Sequence, residues 1–147
     1  MNLSAHFTIE ELTHSQTADR LGLDNTPPDE LMANLRRLAT GLELVRQLVG
    51  VPVVISSGYR SPLVNKAVGG VSNSQHTTGQ AADITAPGFG SVDKLVRAII
   101  NSPIPFDQCI KEFVRPDGTG GWCHISFSDL NRRQALVIDH DGTRAYA

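Results

Sequence analysis

"SQHTTGQAADIT", residues 74–85, sets a histidine, His76, seven positions ahead of an aspartate, Asp83, with glycine and small residues filling most of the interval. The first half reads as the end of a Gly-rich loop. The second half, "AADIT" (81–85), reads as a short strand. Upstream, "SPLVNKAV" (61–68) has a cap-then-proline start and Gly69-Gly70 at its end, the punctuation of a short helix. Before it, the β-branched run "VPVVIS" (51–56) reads as a buried strand.

Working outward, "SVDKLVRAIINS" (91–102) is an amphipathic helix, and strands follow at about 108–114, 122–127 and 134–139. "DHDGT" makes a tight turn after the last of these. The N-terminal third is helical. Thr8 and Glu11 have the spacing of a capping box, which predicts helices over 8–14 and 15–21. Thr26 then caps a long helix with Pro27 in its first turn. Leu31, Leu35, Leu38, Leu42, Val45 and Leu48 form its core stripe, and Gly50 ends it. The class is α+β: N-terminal helices packed on a small, mainly antiparallel sheet, with residues 1–147 forming a single domain.

The totals narrow the function. A formal charge of −2 argues against a nucleic-acid partner, and Arg36-Arg37 and Arg132-Arg133 read as solvated charges. The start "MNLSAHFTIEEL" lacks the basic and apolar regions of a signal peptide. No apolar run reaches the roughly 18 residues that span a bilayer. The expectation is a protein made in the cytoplasm and not inserted in a membrane. Cys109 and Cys123 lack CxxC spacing, so they are read as buried reduced thiols, with a Cys109–Cys123 bridge as the alternative. His6, His14 and His140 have no supporting pattern.

His76 does have one. A ligand on a loop and a second on the strand that follows can converge on one point, and Gly79, Ala81 and Ala82 leave room there. Catalytic zinc takes three protein ligands and keeps a fourth position open. His124, in "GGWCHISFS", is the candidate third ligand, although His-x6-Asp alone is a loose pattern. Glu112, in "CIKEFV", is a candidate general base or else a solvent-facing strand residue. A hairpin around "RPDGTGG" with Val114 opposite Trp122 would set Glu112 opposite His124 and Ile110 opposite Ser126, on one face. Arg60, just beyond the strand at 51–56, is placed to grip a carboxylate or to stabilise a developing oxyanion, unless it is a plain surface arginine.

Together, "SGYRSPLVNKAVGG", "SNSQHTTGQAADI" and "GGWCHISF" resemble the zinc D-Ala-D-Ala carboxypeptidase family, which also includes phage endopeptidases of the peptidoglycan stem. The opening "HFTIEELTHSQTADRLGLDN" is similar to the N-terminal region of phage and prophage members. The resemblance runs from about residue 6 to 128. It implies a Hedgehog-type fold holding one zinc ion (Zn2+) on His76, Asp83 and His124. Arg60 takes a role in substrate binding and catalysis, and Ser74 a substrate hydrogen bond. Several relatives carry the catalytic acid in an E-x-x-H arrangement. Here Gly121 stands three residues before His124, so the role passes to Glu112, with the turn residue Asp117 as fallback.

The resemblance implies a zinc peptidase acting on the peptide stem of peptidoglycan, at D-Ala-D-Ala or at L-Ala-D-Glu. On a phage origin it is a monomeric endolysin reaching the wall through a holin-type lesion. The alternatives are a non-catalytic, zinc-stabilised wall-binding or phage structural module, and a host carboxypeptidase trimming wall precursors.

Overall fold

The long apolar stripe organises the molecule. In the computed structural model, which describes residues 1–147, helix α3 (Met32–Val49) buries Leu35, Leu38, Ala39, Leu42, Val45 and Val49. The stripe closes on Val49 and leaves Leu48 exposed, because a period of 3.6 carries the buried line from Val45 to Val49. Removing a side chain as buried as Leu42 would cost about 2–5 kcal/mol.

Two short helices precede it, α1 (Ile9–Thr13) and α2 (Gln16–Leu21). Both halves of the Thr8–Glu11 capping box are formed. Thr26 does not cap α3. Its amide donates to Asp24 Oδ1, and the chain enters α3 through a 3-10 turn over Asp29–Leu31, because two successive prolines hold the backbone extended up to residue 28.

Six strands form one sheet: β1 (Val54–Ser57), β2 (Ala81–Thr85), β3 (Gln108–Glu112), β4 (Trp122–Ser126), β5 (Gln134–Asp139) and β6 (Gly142–Ala145). Their order is β1-β2-β4-β3-β5-β6, and every pair is antiparallel except β3–β5. The remaining helices are α4 (Pro62–Ala67) and α5 (Val92–Ile100).

β1 lies at the sheet edge with Val54 half exposed, so the β-branched run marks an edge strand and not a buried one. β6 pairs with β5 across the turn that "DHDGT" supplies, a strand the charged sequence gave no alternation to reveal.

Alternation assigns each face of the sheet its work. Ala82, Ile84, Cys109, Cys123 and Ile125 face the helices and join the core with Val92, Leu95, Val96 and Ile99 of α5. Cys109 and Cys123 are free thiols with sulfurs 3.8 Å apart. Ile110, Glu112, Trp122, His124 and Asp83 lie along the opposite face and line a cleft.

Candidate metal centre and catalytic cleft

The centre is assembled by the two middle strands and one loop. Asp83 on β2 pairs directly with His124 on β4, so their side chains share a face. Asp83 Oδ1 lies 3.3 Å from His124 Nδ1 and 3.2 Å from His76 Nε2. All three residues are buried, and their potential ligand atoms lie within 4.8 Å of one another.

His76 arrives on the loop. Its Nδ1 donates to Gly58 O at 2.7 Å, since a carbonyl only accepts, which leaves Nε2 free of hydrogen and aimed at the centre. Asp83 is buried, which would raise its pKa. The two imidazoles packed against it, His124 first and then His76, outweigh that and hold it well below the usual carboxylate range. Two imidazoles and an ionised carboxylate, converged out of water, fit a zinc ion.

The loop is fixed from both sides. Ser74 Oγ accepts from the amide of His76 at 3.2 Å, so this residue, predicted to bond substrate, also shapes the ligand loop from within the cleft wall. Gln75 Nε2 donates to Asp107 Oδ2 at 2.8 Å, and fully buried Asp107 receives Arg132 Nε and Nη2 at 2.7 and 2.9 Å. Arg132 and Arg133 are therefore not simply solvated. Arg133 caps the carbonyls of Ile100, Ser102 and Ile104 over the ring of Phe106. Arg37 pairs with Asp129 at the surface.

Arg60 sits at the cleft wall with its guanidinium engaged on three sides. Nε donates to Ser57 Oγ at 3.1 Å, Nη1 to Asn65 Oδ1 at 3.0 Å, and Nη2 to Asp83 Oδ2 at 3.4 Å. One N–H on each terminal nitrogen remains for a ligand. Asn65 is buried and also donates to Val71 O, tying α4 to the loop. A side chain at Gly70 would strike Asn65 Oδ1, so this glycine lets the backbone close over the pair.

Glu112 Oε1 lies 3.9 Å from His124 Nδ1. Burial raises its pKa, opposed by the neighbouring His124 and helped by the Asp83 charge. The hairpin register differs from the sequence expectation by two residues: Glu112 faces Trp122, and Ile110 faces His124. The cause is a kink at Phe113, which adopts a left-handed φ of 54° and ends the pairing at Glu112, two residues before Val114. A shift of two preserves the face, so Glu112 still flanks the centre. Asp117 is exposed in the hairpin turn, bonded to Thr119, and takes no part in the cleft.

Trp122 and Gln75 were not expected in the site. Trp122 carried one usable signal: it stands two positions from His124 on a strand, hence on the same face. Trp122 Nε1 and Gln75 Oε1 are the buried side-chain polar atoms left without a partner.

Residues 5–115 match the family model described as Peptidase M15. The chain belongs to the peptidase M15 family. The match takes in Arg60, Ser74, His76, Asp83 and Glu112 but ends before His124, which the β2–β4 pairing brings to the same point. No curated protein matches the chain. As an M15 protein it is a metallopeptidase by descent, and the buried His76–Asp83–His124 group is where a metal ion can bind. The α+β layers with a mostly antiparallel sheet agree with that family's fold. No helix is long and apolar enough to cross a membrane.

Proposed function

We propose that the protein is a zinc-dependent peptidase that hydrolyses the peptide stem of bacterial peptidoglycan. The observation that carries the reading is a buried His–Asp–His triad with a second carboxylate, Glu112, 3.9 Å from one ligand and directed into the same cleft. A structural zinc site takes four protein ligands and closes. Three ligands beside an acid suit hydrolysis.

His76, Asp83 and His124 hold the zinc, which when bound polarises the scissile carbonyl and acidifies the attacking water. The rest of the work belongs to side chains of the chain. Glu112 takes the proton from the attacking water and returns it to the leaving nitrogen, a role its half-buried place beside His124 allows. Arg60 steadies Asp83 and directs its remaining N–H groups at substrate oxygen. Ser74 keeps its hydroxyl hydrogen for the substrate while its oxygen supports His76. The protein acts as a monomer at the cell wall, in the manner of an endolysin.

Mass spectrometry of peptidoglycan fragments after incubation with zinc-loaded protein tests this. Stem cleavage is expected. A zinc-loaded protein that binds the wall and cuts nothing would instead be a non-catalytic wall-binding module.

A further inference from the structure

The cleft does not end at the triad. Its metal lobe has a volume of about 720 Å³, and a second lobe of about 550 Å³ opens across a shared wall of Arg60, Gly69, Gly70, Glu112 and Trp122. Each lobe falls in the range of about 300–1,000 Å³ that accommodates a whole small ligand. A single alanine residue would leave either one mostly empty.

The far wall of the second lobe is held in strain. Phe113 is one of the few non-glycine residues with positive φ, an uncommon state for an aromatic side chain. In an unbroken strand it would follow Glu112 onto the opposite, core-facing side. The left-handed kink, fixed by Phe113 N donating to Ile138 O at 2.9 Å, keeps the ring on the Glu112 side. There it lies 5.5 Å from the ring of Trp122 and 5.3 Å from that of His140. Val114 packs against the core in its place. Phe113 is still 37% exposed, so the strain builds a cleft wall and adds little to the core.

The chemistry of the lobes points to a neutral chain. Ser15, Gln16 and Thr17, at the α1–α2 junction, supply hydrogen-bonding groups opposite Phe113 and Val68. Of the cations that line the lobes, Arg132 is forked onto Asp107 and His14 faces Asp19, while Arg60, tied on three sides, keeps one N–H on each terminal nitrogen. Those N–H groups lie beside the carboxylates of Asp83 and Glu112, a setting that favours a neutral peptide carbonyl over a terminal carboxylate. The unpartnered acceptor Gln75 Oε1 and donor Trp122 Nε1, on the cleft walls, match the N–H and C=O of a peptide backbone.

We infer that the second lobe, walled by Phe113, binds the peptide backbone on one side of the scissile bond while the metal lobe binds the other side. The protein thus cuts an internal bond of an extended peptide and does not release a single C-terminal residue. This rests on the peptidase reading above.

The acetylated stem pentapeptide L-Ala-D-Glu-L-Lys-D-Ala-D-Ala offers both kinds of bond. Zinc-loaded protein is expected to split it internally, with terminal D-Ala released at least about tenfold more slowly. Phe113→Ala removes the wall and Gln16→Tyr fills the lobe. Each should lower internal cleavage about tenfold with circular dichroism unchanged. Predominant release of D-Ala, or internal cleavage indifferent to both variants, overturns the inference.

If no bond is cut, the peptidase reading has failed, and binding decides the lobe by itself. Trp122 is the only tryptophan, so its fluorescence reports titration of zinc-loaded Glu112→Gln protein with the pentapeptide and with D-Ala-D-Ala. Tighter binding of the pentapeptide, lost in Phe113→Ala, supports the subsite. Equal affinities sink it.

Discussion

Gly121 lies against the backbone of Glu112. A side chain at 121 would drive its Cβ into the Glu112 carbonyl oxygen and to within 2.7 Å of the Val114 amide, and the residue has a φ of 74° that L side chains rarely adopt. The position three before the last ligand, where an E-x-x-H arrangement has its acid, cannot carry one in this hairpin. The same contact brings β3 close enough for its own acid to serve. Gly121→Ala should lower stability by about 1–3 kcal/mol in thermal or denaturant unfolding. Gly121→Glu should not restore hydrolysis to Glu112→Ala protein. A restored rate would mean that the acid need not come from β3.

Glu112 does not belong to the triad, so removing its charge should separate chemistry from metal binding. Glu112→Gln is expected to retain zinc at wild-type stoichiometry and to lose about 10²–10⁴-fold in hydrolysis. Near-normal wall hydrolysis by this variant would remove Glu112 from the base role.

The triad should behave in the opposite way. His76→Ala, Asp83→Ala and His124→Ala each take one of three donors and should lower zinc content in elemental analysis. Full occupancy in any one variant excludes that residue as a ligand. Chelation of the wild type should also lower its unfolding temperature, because the ligands reach it only after β2 and β4 have paired.

Asp107 sets an acid limit. Hydrogen bonds from Arg132, against opposing burial, and then from Gln75 hold its carboxyl well below the usual carboxylate range. A folded-state pKa lower than the unfolded one gives stability that is present above about pH 4, the ordinary aspartate value, and is lost as the pH falls further. Asp107→Asn should cost about 1–3 kcal/mol at neutral pH and flatten that acid limb in pH-dependent melts. An unchanged acid limb would assign the loss to other carboxylates. The Gln75 link predicts a second effect: weaker zinc retention, because Gln75 adjoins His76.

Much of this is legible in the amino-acid sequence alone. Local rules sufficed for the capping box at Thr8, the α3 stripe, and the strand at 81–85, where flanking glycine and polar residues mark the ends. Both candidate ligands in "SQHTTGQAAD" and the arginine at 60 stood in recognisable segments. What stayed hidden depended on contacts between distant residues. The pairing of Asp83 with His124 spans 41 residues. The kink at Phe113 overrides strand alternation with a backbone state that no residue preference announces. Arg132 looked solvated because its partner, Asp107, is remote in sequence and invisible until the sheet closes over it.

The β2–β4 pairing also ties reactivity to completed folding. A nascent or damaged copy in which these strands lie apart has no site for a metal between them, and Glu112 has nothing to act beside. Metal binding is thereby made conditional on the finished fold, because the three candidate ligands are distributed along the chain.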